Sequence, residues 1–329
     1  SNLFMKSITL DSISGTIPES LFATFQMTFA IITPALIIGA FVERIKFSAM
    51  LIFLSLWVII VYLPVTHWVW GGGLLSSWGV MDFAGGIVVH ATAGTAALVT
   101  ALTLGKRRGF PKSITPPHSP ILTMIGAAML WVGWFGFNAG SALGANSNAG
   151  MAMLVTHISA ATAALVWMAI EWKRFGKPSL IGVVTGMVAG LATVTPASGY
   201  IGIPGGLILG FFGGLLCYLA VDYIRGKLQI DDSLDVFAVH GVGGILGSLL
   251  VAFLATSTFL GLGLPEGQTA SSQFIIQFKG VALTVCWTGV FTYLILKLTS
   301  LIVPLRVEEE EEIEGLDLRS HGEKGYHSD

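Results

Sequence analysis

Two histidines lie inside long apolar stretches that contain few other ionisable residues. His90 lies in DFAGGIVVHATAG (82–94), and His240 lies in DVFAVHGVGG (235–244). An ionisable side chain at membrane depth is costly unless it is paired or lines a cavity. The two rings therefore predict either a polar pathway through the apolar segments or histidines that only donate to neighbouring backbone carbonyls.

An aspartate precedes each of these histidines. Asp82 and Asp235 both stand where a helix is predicted to begin, so each is expected to accept a backbone N–H as an N-cap. A carboxylate at an outer mouth also raises the local concentration of cations. A metal site needs three or four ligands, but neither histidine has a second His or an acidic side chain at ligand spacing on its own helix. No metal or other cofactor is predicted.

Aromatic side chains occur near the same segments. Phe25 and Phe29 are one helical turn apart, Trp70 lies in HWVWGGGLL on a predicted outer loop, and Phe137 and Ser141 lie in GWFGFNAGS. For a single aromatic residue, anchoring at the membrane interface is the default interpretation. Together, however, ring faces that attract a cation and a hydroxyl that accepts its hydrogen bond are suited to a cation site.

The elements that position these residues are membrane helices. The chain has 329 residues, of which 53% are hydrophobic and only 11% are charged, compared with about a quarter charged in soluble domains. A spanning helix needs about 20 apolar residues. The sequence therefore predicts an all-α integral membrane protein, a polytopic helical bundle. Its nine apolar runs lie at 21–42, 47–66, 83–104, 121–137, 149–172, 180–195, 200–221, 236–255 and 281–303.

The basic residues indicate how the bundle is oriented. Lys and Arg follow the first, third, fifth and seventh runs, whereas the intervening loops at 68–81, 138–148, 196–199 and 256–272 contain none. Basic residues concentrate in cytoplasmic loops. We therefore expect a lead-in at 1–20 outside the cell, a membrane domain at 21–303 and a cytoplasmic tail at 304–329. The 17 basic residues form no basic face, so no nucleic-acid partner is predicted.

This orientation brings the two histidines towards one another. His90 is expected about 12 Å below the outer end of its helix, and His240 about 7 Å above the cytoplasmic end of its own helix. Because the two helices enter from opposite sides, both rings approach the middle of the membrane. That is the geometry expected when two inverted halves contribute to one site.

Seven stretches of the sequence resemble one family closely. They are FQMTFAIITPALIIGAFVERIKFSAMLIF, HWVWGGGLL, DFAGGIVVHATAG, LWVGWFGFNAGSA, GKPSLIGVVTGMVAGLATVTPASGYI, DDSLDVFAVHGVGGILG and EGLDLRSHGEKGY. In this order they resemble the ammonium transporters of the Amt/MEP/Rh superfamily, bacterial Amt type. The resemblance implies the inverted-repeat fold of eleven helices and a homotrimer with one pore in each subunit. It further implies that this chain carries nine of the eleven helices and lacks the first two.

The resemblance also implies roles for the residues near the outer mouth. Trp70, Phe29 and Ser141 match the site that recruits ammonium. Phe29 and Phe137 match the two stacked rings that close the pore beneath that site, and Phe25 matches a ring of the outer vestibule.

Further roles implied by the resemblance concern the pore and the tail. His90 and His240 match the twin histidines that share a hydrogen bond along the pore, and Asp82 matches an aspartate that supports the recruitment site. The tail matches a segment that takes part in gating and in docking of P-II-class regulatory proteins. From composition alone, by contrast, the tail is expected to be solvated and largely disordered, with Glu308 to Glu312 in one run.

The function expected from this resemblance is uptake of ammonium across the inner (cytoplasmic) membrane by a multi-pass protein. Ammonium would lose its proton at the outer gate and cross as NH3, with or without a separate route for the proton. The substrate is ammonium or ammonia, and methylammonium is an expected analogue. A sensor of the same fold that signals through its tail is the alternative. An intramembrane hydrolase is disfavoured because Ser141 has no base nearby in the sequence.

Overall fold

The computed structural model describes residues 3–113 and 116–325. Within these residues nine helices match the nine apolar runs. Eight are long and apolar enough to cross a membrane, and the ninth, α6, is apolar but has only 15 residues. The helices are α1 (Glu19–Ile38), α2 (Phe47–Ser77, with bends at 71–73), α3 (Gly86–Leu104), α4 (Pro120–Ala142), α5 (Ser147–Phe175), α6 (Leu180–Val194), α7 (Ile203–Lys227), α8 (Phe237–Leu254) and α9 (Ala270–Ile302).

The segments outside the bundle are short. Strands β1 (Ile13–Ser14) and β2 (Ile17–Pro18) form an antiparallel hairpin before α1. The tail holds two helices, α10 (Glu309–Glu314) and α11 (Leu316–His321). Its described part is therefore folded, contrary to the expectation from composition, and residues 326–329 lie outside the described part.

Several helices contain a π-helical turn. Among them are Gly86–Ala91 in α3, Phe135–Ala139 in α4 and Phe237–Gly241 in α8. These turns carry His90, Phe137 and His240, respectively. Single π-turns within α-helices occur frequently at functional sites because the extra residue in the turn redirects side chains.

Glycines allow α6 and α7 to pack closely on α5. A β-carbon added at Gly190 of α6 or at Gly210 of α7 would overlap the carbonyl of Ser159 in α5. The Ser159 hydroxyl in turn donates to the Gly190 carbonyl at 2.8 Å. Small residues at such positions let membrane helices approach until their backbones touch.

The two helices that carry the histidines cross at a pair of glycines. A β-carbon added at Gly94 of α3 would overlap the backbone of Gly241 in α8. A second close approach brings Gly244 of α8 against the β-carbon of His90 and the carbonyl of Gly86. The contact between α3 and α8 is therefore backbone against backbone, next to both imidazole rings.

The basic residues that follow α1 and α3 gather at one end of the bundle, which we call the basic end. The Arg44 side chain is fully buried and donates to the Ser233 hydroxyl at 2.8 Å and to the Asp231 carbonyl at 2.6 Å. Arg107 donates to the Asp231 carboxylate through its backbone N–H and its Nε, at 2.8 and 3.2 Å. These contacts join the loops after α1 and α3 to the segment before α8.

The tail is held against the same end. Arg306 donates to the Leu104 carbonyl at the end of α3 at 3.1 Å and to the Glu312 carboxylate at 2.7 Å. The other oxygen of Glu312 accepts the backbone N–H of Arg108 at 2.6 Å. The composition of this acidic run predicts a solvated segment, but the run is folded here. The Glu312 carboxylate is held by the charged Arg306 and by the backbone of Arg108.

Candidate functional site

Four aromatic side chains meet at the end of the bundle opposite the basic end. Phe29 is 1% exposed, and its ring centroid lies 4.6 Å from that of Phe137, 4.9 Å from that of Phe25 and 5.4 Å from that of Trp70. All three pairs are edge-to-face, an arrangement that aromatic rings prefer. Residues from α1, α2 and α4 therefore converge on Phe29.

Trp70 is placed differently from the expectation. The sequence predicts it on an outer loop, but it is the last residue of a helical segment, Leu63–Trp70. Its Nε1–H donates to the backbone carbonyl of Asp82 at 2.8 Å, so the start of the α3 segment holds the indole beside Phe29. The sequence therefore ended the second apolar run too early, at residue 66, because the tryptophans and glycines that follow resemble an interfacial loop.

Ser141 joins this aromatic cluster through the backbone of α4. Its hydroxyl donates to the carbonyl of Phe137, one turn earlier, at 2.8 Å. A hydroxyl that has used its single proton in this way keeps its oxygen lone pairs as acceptors. The oxygen is therefore suited to accept a hydrogen bond from a cationic donor.

Asp82 caps the start of α3, as predicted. Its two carboxylate oxygens accept the backbone N–H groups of residues 85–88 at 2.6 to 3.1 Å. Burial raises the pKa of this carboxyl, and the four N–H donors act in the opposite direction. The cap also sets the helix start at Gly86, three residues later than expected, so that His90 lies about 6 Å from that start.

The two histidines are in contact. Nδ1 of His240 lies 3.2 Å from Nδ1 of His90, and the ring centroids are 5.2 Å apart. The His90 side chain is fully buried and that of His240 is 8% exposed. A hydrogen bond between two Nδ1 atoms requires one ring to donate and the other to accept, so at least one of the two rings is neutral.

The rings of the pair continue into the aromatic cluster. His90 stacks on Phe137 and on Trp134, at 5.9 and 5.4 Å between centroids. The Trp134 indole is fixed by a 2.9 Å bond from its Nε1–H to the Thr195 hydroxyl. Sequence reasoning missed Trp134. Its spacing of three residues from Phe137 on one helix was the available signal.

A cavity of about 650 Å³ lies against the histidine pair and Trp134. It is lined by apolar side chains of α1 and α4, by Phe25 and Phe137, and by both histidines. The Thr28 hydroxyl also faces it, but this group donates to the Phe25 carbonyl at 2.6 Å. The two imidazoles therefore supply hydrogen-bonding groups in a cavity that is otherwise mainly apolar.

The second predicted cap is wrong. Asp235 does not cap α8; its carboxylate forms an ion pair with Arg225 at 2.6 Å. Asp232 does so instead, with its Oδ2 accepting the backbone N–H of Phe237 at 2.7 Å. The signal was present in the sequence, because Asp232 precedes His240 by eight residues, as Asp82 precedes His90.

The described residues offer no obvious metal centre. No group of three or more His, Cys, Asp or Glu side chains suited to a metal ion occurs within 3–113 and 116–325. What the geometry provides is a route of rings: an aromatic cluster with an acceptor oxygen, two phenyl rings below it, and two hydrogen-bonded imidazoles in an apolar cavity.

Comparison with known proteins gives a consistent result. The model of the Ammonium Transporter Family matches residues 2–326. A putative ammonium transporter of Methanothermobacter thermautotrophicus is 49% identical over 315 residues, which cover 94% of this chain and 76% of that protein. An ammonium transporter of Aquifex aeolicus is 48% identical over 310 residues, covering 94% of this chain and 72% of its own length.

Solved structures of related proteins have the same fold. A sensor Amt protein is 32% identical with a TM-score of 0.85, covering 91% of this chain and 76% of that one. Saccharomyces cerevisiae Mep2 is 35% identical with a TM-score of 0.80, covering 90% and 68%, respectively. The curated relatives are transporters rather than enzymes, as the sequence predicts. With a family model over nearly its whole length and relatives near 50% identity, this chain belongs to the ammonium transporter family.

Proposed function

We propose that this chain takes up ammonium by recruiting NH4+ at the outer aromatic cluster, removing its proton and conducting NH3 past the two histidines. Recruitment uses the faces of Trp70 and Phe29 and the oxygen of Ser141. A cation over an aromatic face gains about 0.5–2 kcal/mol. Asp82 supports this site through its backbone carbonyl, which holds the Trp70 indole, and Phe25 contributes a further ring to the vestibule.

The two phenyl rings below the recruitment site provide selectivity by desolvation. Phe29 and Phe137 are in contact, and Phe29 is almost completely buried. A cation that crosses this dry constriction loses its hydration, which is costly in an apolar environment. Potassium and ammonium are similar in size, but only ammonium avoids the cost by giving up a proton and crossing as neutral NH3.

The contact between His90 and His240 is the observation that carries this proposal. Two imidazoles joined through Nδ1 atoms at 3.2 Å in a mainly apolar cavity serve a neutral hydrogen-bonding guest better than a hydrated cation. The rings give NH3 hydrogen-bond partners below the phenyl gate. Since the unperturbed pKa of histidine lies near neutrality, the pair is also suited to pass a proton along the same route.

Currents and fluxes in proteoliposomes test this proposal. Replacing His90 and His240 together by alanine is expected to abolish ammonium flux or its discrimination against potassium. The control is His118→Ala, which changes an exposed histidine of the loop before α4. Ammonium flux in the double variant that equals the control, with potassium still rejected, would contradict the proposed role of the pair. A wild-type ammonium flux without current would instead identify a passive NH3 channel.

We further propose that this is an inner-membrane protein whose basic end faces the cytoplasm. The functional unit is a homotrimer, and each chain divides into a lead-in at 1–20, a membrane domain at 21–303 and a tail at 304–329. The alternation of basic loops supports this orientation.

The tail is the proposed docking element for a P-II-class regulator. Glu312→Gln is expected to weaken the contacts of the tail with Arg306 and Arg108, so that a protease cleaves the tail faster. Glu310→Gln, at an exposed position, is the control and is expected to leave the cleavage rate unchanged. Equal cleavage of the two variants would argue against this attachment.

A sensing role is a second candidate function. It is supported by the similarity to the sensor Amt protein, at 32% identity, and by the contacts of the tail with the end of α3. Transport is favoured because curated relatives at higher identity are named transporters. The two functions are distinguished by ammonium flux. A sensor binds ammonium and changes the protection of its tail from proteolysis, but it does not conduct ammonium.

A further inference from the structure

The two histidine-bearing helices begin in the same way at opposite ends of the bundle. Asp82 precedes His90 by eight residues and Asp232 precedes His240 by eight. In both cases Oδ2 accepts the N–H five residues later, from Ile87 at 2.8 Å and from Phe237 at 2.7 Å. Both side chains are buried, with 3% of each residue exposed. Asp232 is therefore the counterpart of Asp82 in the other half of the molecule.

The two carboxylates differ in how well they are satisfied. Asp82 uses both oxygens for four backbone donors. Oδ1 of Asp232 is buried and has no hydrogen-bond partner among the described residues. A buried, unpartnered charged oxygen is costly. Adding a proton to the carboxylate removes most of that cost, because the charge disappears.

The surroundings of Asp232 favour such a proton. Asp235 is three residues away, and its carboxylate is engaged by Arg225 at 2.6 Å. The other cations that face the pair are Arg44 and Arg107. Arg44 donates to the Ser233 hydroxyl and to the carbonyls of Ala40 and Asp231, and Arg107 donates to the carboxylates of Asp231 and Glu43. Arg225, the cation that acts most strongly on Asp232, is therefore shared with a second carboxylate.

The pKa values agree with this arrangement. Burial raises the pKa of Asp232 to about 6, opposed by backbone N–H donors and by Arg225 and Arg44. Burial also raises the pKa of Asp235 to about 7, opposed by Arg225 and reinforced by the negative charge of Asp232. An ordinary aspartate has a pKa near 3.9, so both groups titrate much closer to neutral pH than usual.

We propose that Asp232 and Asp235 form a proton-binding site at the basic end of α8, where a proton that has passed the histidines is held before release to the cytoplasm. In the step itself, a proton leaves a hydronium ion or an imidazolium, which becomes water or neutral imidazole, and adds to Oδ1 of Asp232. No other bond changes, and the charge of the site rises by one. The binding of the proton rests on the buried, unpartnered oxygen of Asp232 and on the neighbouring Asp235, whereas its part in transport rests on the proposed function.

Infrared titration of the protein in liposomes tests the binding. Lowering the pH from about 8 to about 5 is expected to produce a carbonyl band of a protonated carboxyl group with a midpoint near 6. Asp232→Asn should remove the component of the band with a midpoint near 6 and leave the component of Asp235, because the amide keeps an oxygen for the Phe237 N–H but does not titrate. The matched control is Asp222→Asn, whose exposed side chain pairs with Arg174 and whose band pattern should equal that of the wild type.

A second variant keeps the test decisive if Asp232→Asn does not fold. Asp235→Asn removes the carboxylate that engages Arg225, so Arg225 acts more strongly on Asp232 and the remaining Asp232 band should shift to lower pH. A band that is absent from the wild type, or that remains unchanged in both variants, would overturn the proposal.

Transport currents at different internal pH test the second part. Asp232→Asn is expected to reduce the ammonium current by about tenfold and to remove its dependence on internal pH, while Asp222→Asn keeps both. Unchanged currents in Asp232→Asn would refute a role in proton release. If the wild type conducts no current, the proposed electrogenic mechanism fails, but the infrared titration still decides whether the proton-binding site exists.

Discussion

Replacing Gly94 by alanine adds one methyl group where α3 crosses α8, and it tests whether the spacing of these helices sets the contact between the histidines. The added β-carbon would lie under 3.0 Å from the Gly241 backbone, whereas carbon atoms in contact prefer about 3.5–4.0 Å. The two backbones must therefore separate by at least about 0.5–1 Å. A backbone contact offers no flexible side chain that can move aside instead.

This separation is large enough to break the contact between the imidazoles. The Nδ1 atoms are 3.2 Å apart, so a displacement of the helices by that amount places them about 3.7–4.2 Å apart, beyond hydrogen-bonding range. Overpacking of this kind costs about 1–3 kcal/mol of stability. We therefore expect Gly94→Ala to assemble with reduced stability and to lose most of its ammonium flux.

The assay compares Gly94→Ala with Gly126→Ala in proteoliposomes. An added β-carbon at Gly126 of α4 meets nothing within 4 Å, so this control introduces the same chemical change into open space. Ammonium flux and unfolding by SDS in mixed micelles are measured for both. If Gly94→Ala matches Gly126→Ala in flux and stability, the close approach of α3 and α8 does not control the histidine pair.

Three further outcomes follow from the site. Asp82→Asn leaves two of the four backbone N–H groups without an acceptor and should cost about 2–6 kcal/mol in unfolding free energy, whereas Asp222→Asn should change it little; equal unfolding curves would contradict this. Phe137→Ala removes the ring that contacts Phe29 and should admit a potassium current, which the matched change Phe135→Ala should not; the absence of a potassium current would argue against the phenyl gate. The raised pKa of Asp235, about 7 compared with an ordinary 3.8, means that this carboxyl stabilises the fold at low pH and that this stabilisation is lost as the pH rises through 7. Unfolding should therefore become easier between about pH 4 and about pH 7 in the wild type, and a dependence that is as steep in Asp235→Asn would refute it.

Sequence reasoning named most of the residues that the structure brings together, because membrane-depth histidines and clustered aromatics are rare enough to be informative. It placed Trp70 on a loop, since a tryptophan followed by three glycines resembles an interfacial turn. It also assigned the cap of α8 to Asp235, which stands at the start of the apolar run, and overlooked Asp232. That choice depends on which carboxylate faces the helix start, and proximity in sequence does not determine this.

The sequence by itself determined the helical membrane class, the family, the number of apolar segments and the residues from which a pathway could be built. These follow from composition, from spacing and from motifs that are local in the chain. Only the tertiary structure decided that α3 and α8 meet at Gly94 and Gly241, that both histidines lie in π-helical turns, and that Trp134 extends the stack of rings. Such features depend on contacts between residues that are up to 150 positions apart, and these contacts are set by how the helices pack.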